Sequence, residues 1–310
     1  MLARRLLMSI LLVVPVGPVA AQVTLVRDTT TPPPTTTAPP AAPMSAPSPT
    51  DTVVVPFDDR YPPSEDHAKT MLERSPRHGE FVDVTSPSGV ALRTWVSYPE
   101  RKDRAGTVVI IHEIFGLSDW IRGVADQLAK EGFIAVAPDL ISGLGPGGGG
   151  TDSVASRDDV VKLVRTLTPE ETTARLNAVR AYAAKIPAGN GKIATMGFCW
   201  GGGKSFAYAA NDPPPQAAVV FYGVSPDSVT LPNVRAPVLG LYGGDDARVN
   251  MTIDAAKAAL KKKGHSYDPH LYDGAGHGFL RAQSLRGGAN LAATRKAWPE
   301  AISFLKKYLK

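Results

Sequence analysis

Apolar residues are unevenly placed along this 310-residue chain. From about Phe57, short apolar runs alternate with longer stretches in which apolar residues recur every three or four positions. Thr107 to His112 (TVVIIH) is a β-branched apolar run, the pattern of a strand buried on both faces. Asp119 to Lys130 places Ile121, Val124, Ala125, Leu128 and Ala129 on one helical face, with Gly132 as the stop.

The spacing also predicts an antiparallel hairpin from Phe81–Val84 and Val90–Tyr98 across Ser86-Pro87-Ser88-Gly89. Further strands are expected at 133–137, 192–196, 217–222, 237–242 and 270–272. Helices are expected at 170–186, 203–210, 253–262 and 291–309. Alternation of this length builds an α/β fold, a parallel sheet with helices on both faces. Ser142 to Asp152 (SGLGPGGGGTD) breaks the pattern. It lacks the Gly-Lys-Ser/Thr ending of a phosphate-cradling loop, and a mobile loop over the edge of the sheet that bears the site is expected.

The first 56 residues are of another kind. Arg4 and Arg5 precede an apolar run from Leu6 to Val16 broken by Ser9, and Val19-Ala20-Ala21 offers small residues before Gln22. Residues 1–21 therefore read as a signal peptide. The run stops at Pro15, Gly17 and Pro18, short of the ~20 residues of a membrane span, so cleavage and a secreted or periplasmic location are expected. Residues 29–50 hold 8 Pro and 7 Thr. Such a stretch cannot bury enough apolar surface to offset its ordering entropy, so 22–56 reads as a disordered Pro/Thr-rich linker, suited to glycosylation or envelope attachment. Residues 57–310 are left as one catalytic domain.

Composition narrows the function. The net charge is +5, and loss of the leader removes Arg4 and Arg5 from it. The remainder is small and scattered; Lys261-Lys262-Lys263 and Lys306-Lys307 read as solvated helix ends, so no nucleic-acid partner is expected. One cysteine, Cys199, excludes an intramolecular disulfide and a multi-cysteine zinc site. His112-Glu113 has Gly116 where a metalloprotease motif needs its second histidine, and no metal or cofactor is expected.

Cys199 sits in Gly197-Phe198-Cys199-Trp200-Gly201-Gly202, between an expected strand and helix. This is the G-x-nucleophile-x-G elbow, with Cys where Ser is commoner. The glycines relieve Cβ clashes in the sharp turn, and the amino end of the new helix favours thiolate. A small buried hydrophobe is the other reading of a lone cysteine. Two partners follow in the order this fold uses: Asp245-Asp246 after a strand and Gly243-Gly244, then His277 in a glycine-rich loop. The histidine can move a proton while the carboxylate fixes its tautomer. Asp246 as a turn former and His277 as a solvated loop residue are the plainer alternatives.

These segments, with His112-Glu113-Ile114-Phe115-Gly116 and Ala275 to Arg281, resemble the dienelactone hydrolase family, carboxymethylenebutenolidases of the α/β-hydrolase fold, over Phe81 to Leu309. The resemblance implies a mostly parallel central sheet with helices on both faces. It implies Cys199 as nucleophile, His277 as acid and base, Asp246 as its orienting carboxylate and Glu113 as a buried carboxylate that helps activate the thiol. It further implies an oxyanion hole from the N–H groups of Ile114 and Trp200, and contacts to substrate from Arg281, Phe115 and Tyr222. The chain departs from the family in its bulky Trp200, its leader and Pro/Thr tract, and a rewritten 142–157 loop. In that loop no arginine aligns with the family's second carboxylate-binding arginine, and Arg157 is only a candidate by its place.

The expected activity is hydrolysis of lactones or small carboxylic esters, including anionic ones, through a Cys199 acyl-enzyme without cofactor. A broader carboxylesterase or thioesterase on neutral esters, or a surface binding module on a hydrolase scaffold, are the alternatives.

Overall fold

A computed structural model describes residues 51–310. The leader and the Pro/Thr tract as far as Thr50 lie outside the described residues. Residues 51–56, read from sequence as the end of that tract, are tied to the domain: Val53 N–H donates to Ser284 O at 2.8 Å and Gly287 N–H to Asp51 O at 2.7 Å.

Eight strands form one sheet: β1 (Gly79–Thr85), β2 (Ala91–Ser97), β3 (Ala105–Ile111), β4 (Ile134–Pro138), β5 (Gly189–Phe198), β6 (Ala218–Phe221), β7 (Val238–Gly243) and β8 (Tyr267–Tyr272). Their spatial order is β1-β2-β4-β3-β5-β6-β7-β8. The β1–β2 and β2–β4 pairs are antiparallel and every other pair is parallel. The helices are α1 (Ala68–Arg74), α2 (Asp119–Lys130), α3 (Arg157–Thr166), α4 (Pro169–Ala183), α5 (Trp200–Tyr208), α6 (Ala247–Asn250), α7 (Ile253–Lys262) and α8 (Ala289–Leu309). No helix among the described residues is long and apolar enough to cross a membrane.

The pleat sorts the central strands between two layers. Val108 and Ile110 of β3 pack with Trp120, Val124 and Leu128 of α2 and with Trp298 and Leu305 of α8. Val109 and Ile111 turn the other way, onto Leu176 and Val179 of α4. In β6, Val219 and Phe221 join the first layer, while Ala218 and Val220 pack with Phe206 of α5 and Leu260 of α7. Fully burying each such Val, Ile or Leu contributes about 1.5–3 kcal/mol, so the apolar runs that predicted the strands also stabilise the layers.

α1 and α6 lie where no element is expected, and three further segments differ from the sequence expectation. α3 fills a stretch for which no element is expected; Ser156 caps it by accepting from Asp159 N–H at 3.1 Å, and only Val160 and Val164 are buried. β8 begins at Tyr267 rather than His270 and contains Pro269, which an edge strand tolerates. The 142–152 segment is braced: Asp139 accepts from Thr151 N–H at 2.6 Å and from Thr151 Oγ at 2.9 Å, and Thr151 Oγ accepts from Leu117 N–H at 3.0 Å. The expected loose loop is thereby fastened beside the Glu113–Gly116 turn.

Because the central connections are parallel crossovers, the carboxyl ends of β3, β5, β6, β7 and β8 meet at one edge of the sheet. In open α/β sheets that edge is where ligands bind.

Candidate active site

β5 ends at Phe198 and α5 begins at Trp200, so Cys199 alone makes the turn, at φ 54° and ψ −116°. Positive φ is strained for a residue with a Cβ. The surroundings compel it. A Cβ on Gly197 would lie 1.9 Å from Gly201 O, and one on Gly201 would lie 2.2 Å from Ile111 O. Cys199 N–H donates to Phe221 O at 3.0 Å, tying the turn to β6. The sulfur is half-buried at the amino end of α5.

Asp246 immediately precedes α6, just past β7, and His277 lies in the turn after β8. His277 Nδ1 is 2.5 Å from Asp246 Oδ2, and its Nε2 is 3.0 Å from Cys199 Sγ. Burial by itself would lower the imidazole pKa; hydrogen bonds to Asp246 and Cys199, and their charges, outweigh it and hold His277 at about 9. Asp245 is engaged elsewhere, accepting from Arg286 at 2.7 Å.

Glu113, just past β3, is 2% exposed. Burial raises its pKa, while the charges of Arg281 and His277 oppose the rise. Arg281 Nε lies 2.7 Å from Glu113 Oε2, an ion pair too poorly aligned for a hydrogen bond. His112 is fully buried, with Nδ1 2.6 Å from Glu113 O; its Nε2 accepts from Leu140 N–H at 3.2 Å, and its ring stacks on Trp200. This histidine braces the loop that bears Glu113 and Ile114.

Tyr222, at φ 40° past β6, sets its ring edge against His277 with centroids 5.2 Å apart. Its hydroxyl is buried without a protein partner, and its pKa is pushed well up by burial first and then by the nearby Glu113 charge. It is therefore an unsatisfied neutral donor. The Ile114 and Trp200 N–H groups also donate to no protein acceptor among the described residues, as first-turn helix geometry dictates for Trp200.

Cys199, His277, Tyr222, Glu113, Ile114 and Trp200 line one cavity of about 560 Å³, with Phe115 and Arg281 in its wall. A larger groove, about 740 Å³, lies along α8 and is lined by none of these residues. Sequence reasoning did not find Arg165, Val224 and Arg248, which also line the cavity. It also missed Glu65, which pairs with Arg281 and lies 2.8 Å from Arg157. Arg157 is stacked on Phe115, 3.5 Å from the ring centroid, and is not among the cavity-lining residues.

A sequence model of the dienelactone hydrolase family matches residues 92–309. The chain belongs to the dienelactone hydrolase family. It is 32% identical over 221 residues to the carboxymethylenebutenolidase of Pseudomonas putida, covering 69% of this chain and 91% of that one. A Salmonella typhimurium protein named "putative carboxymethylenebutenolidase" is 29% identical over 255 residues, covering 78% and 92% of the two chains. Among solved structures, the "putative dienelactone hydrolase" of Klebsiella pneumoniae superposes with a TM-score of 0.65 at 26% identity, covering 75% of this chain and 99% of its own. This dienelactone hydrolase family member thus has the α/β-hydrolase fold and is a lactone or ester hydrolase.

Proposed function

We propose that the enzyme cleaves lactones or small carboxylic esters through a thioester on Cys199, with His277 and Asp246 completing a triad. The observation that carries this reading is the single imidazole held 3.0 Å from Cys199 Sγ and 2.5 Å from Asp246 Oδ2. At neutral pH His277 holds a proton, since its pKa of about 9 owes part of its rise to Cys199. Sulfur attacks the carbonyl carbon, and the oxygen that gains charge takes the N–H groups of Ile114 and Trp200. Donors so placed contribute about 3–4 kcal/mol each on serine-enzyme precedent. Collapse to the thioester expels the alkoxide, which takes the proton from His277 Nε2.

Acylation removes the sulfur's negative charge, and with it part of what holds the proton on His277. The neutral imidazole then accepts a proton from water, whose oxygen attacks the thioester carbonyl. The acid leaves, and the proton returns to the Cys199–His277 pair. Glu113, ion-paired with Arg281 just past β3, keeps its charge beside the sulfur and carries no proton in these steps.

Hydrolysis of 4-nitrophenyl acetate and of a dienelactone by wild type and Cys199→Ala tests this. Loss of both activities is expected in the variant, and equal rates in the two proteins overturn the assignment. The reading as an esterase of neutral esters is favoured by Arg281, which is already paired with two carboxylates, Glu113 and Glu65.

Residues 1–21 act as a cleaved leader and the Pro/Thr tract as a spacer outside the cytoplasm. Terminal sequencing of protein from the culture fluid or periplasm should begin at Gln22, and a retained Met1 on cytoplasmic protein refutes export.

A further inference from the structure

We propose that Glu65 sets the charge preference of the active site: it holds Arg281 and Arg157 in the place of a substrate carboxylate, and so turns the enzyme toward uncharged esters. This deepens the hydrolase reading above and rests on it.

Glu65 belongs to a strap before α1, ahead of residue 92, where the match to the family begins. The strap is built into the domain. Pro62, Pro63 and Ser64 are buried; Trp120 Nε1 donates to Pro63 O at 2.9 Å and Gln283 Nε2 to Pro62 O at 3.0 Å. On α2, Gly123 makes room for it, since a Cβ there would lie 2.7 Å from Pro63 Cγ. Glu65 N–H itself donates to Arg281 O at 3.0 Å. These bonds fix the backbone of Glu65 and hold its carboxylate behind Arg281, which lines the cavity while Glu65 and Arg157 do not.

That carboxylate uses both oxygens. Oε1 lies 2.8 Å from Arg157 Nη1, and Oε2 accepts from Arg281 Nη1. Both guanidinium groups lie over the ring of Phe115, at 3.5 Å for Arg157 and 5.1 Å for Arg281. Two arginines thus face two carboxylates, Glu65 and Glu113, and the charges cancel. An entering carboxylate meets a neutral cluster and must displace Glu65 from a bidentate-like seat. Removal of the Glu65 charge leaves the cluster with one positive charge, on the arginines that grip carboxylates well.

The probes are 4-nitrophenyl hydrogen adipate and its methyl ester, which differ by one negative charge remote from the scissile bond. Wild type is expected to favour the methyl ester in kcat/KM. Glu65→Gln should raise the anionic-to-neutral ratio about tenfold, mainly through KM, as one gained charge-assisted contact predicts. Adding Arg281→Met to Glu65→Gln should erase that gain. A wild type that prefers the anion, through Arg165, Arg248 or any other group, or a ratio unmoved by Glu65→Gln, overturns the proposal.

Calorimetric titration of hexanoate, a carboxylate with no ester bond, into the wild type and Glu65→Gln proteins reads the same site without turnover. Tighter binding is expected in the variant, and equal binding overturns the proposal. Absence of turnover of either ester by wild type would instead sink the hydrolase reading, and the titration would still decide the role of Glu65.

Discussion

Asp246→Asn exchanges one oxygen of a buried carboxylate for an amide nitrogen and keeps the shape of the side chain. What changes is the charge 2.5 Å from His277 Nδ1. In the intact site His277 is held at about 9, against 6.5 for an ordinary imidazole, by bonds and charges that overcome its burial. Each pKa unit corresponds to 1.36 kcal/mol, so the full gap is worth about 3 kcal/mol unscreened. A third of the His277 side chain faces solvent, and screening reduces this to about 1–2 kcal/mol. Without the carboxylate the desolvation of the imidazole is left with fewer opponents, and the pKa should fall well below 9.

The sign follows from linkage. A histidine with a raised folded pKa adds stability that is complete below 6.5 and disappears as pH rises through about 9. Urea unfolding should therefore show wild type more stable than Asp246→Asn at pH 6, with the difference shrinking toward pH 9.5. The imidazole titration is followed directly by NMR, with His277→Gln identifying the signal. Hydrolysis should fall by about 10⁴ in kcat, the cost when the equivalent carboxylate of a serine triad becomes an amide. An imidazole that still titrates at about 9 in Asp246→Asn refutes the reasoning, since Asp246 would then not be the group that holds the proton.

Two further substitutions test how the site is supported. Gly201→Ala sets a Cβ 2.2 Å from Ile111 O and 2.3 Å from His112 O, both backbone atoms that cannot swing aside. It should destabilise the fold by about 3 kcal/mol in thermal denaturation, and an unchanged melting temperature contradicts the close packing of the elbow on β3. Asp139→Asn weakens the clamp on Thr151, at a cost of about 1–3 kcal/mol for the buried groups left unpaired. Amide exchange over residues 143–153 should accelerate more than elsewhere; uniform protection would show that the glycine-rich segment is braced by something else.

The parts of this protein that were legible in its sequence are those whose meaning is local. An unbroken apolar run such as Val108 to Ile111 has one use in a folded α/β protein, and β3 occupies the middle of the sheet with every residue buried. Gly197 and Gly201 are needed because backbone passes within about 2 Å of where a side chain would begin, and that requirement is written into the motif around Cys199. Asp246 and His277 are recognisable by their place after a strand and among glycines. α3 was obscured because it starts immediately after a glycine-rich segment and buries only two valines, which leaves little periodic signal. β8 was shortened by Pro269, a residue that argues against a strand until the strand is known to lie at an edge.

Glu65 shows where local reading stops. The resemblance of the Ala275–Arg281 segment gave Arg281 its place beside His277 and a role as a carboxylate-gripping group. Its charge state as a binding group is decided 216 residues away, by an acidic residue in a proline-rich strap whose own surroundings in sequence give no sign of a partner. A motif can therefore report that an arginine is present at the site without reporting whether it is free. The same holds for Arg165 and Arg248, which reach the cavity from α3 and α6 with no motif around them. Substrate charge preference is a property of the sum of these groups, and that sum exists only once the chain has folded. Two members of this family with the same elbow, aspartate and histidine can consequently differ in what they hydrolyse, through residues that no alignment of the catalytic motifs would single out.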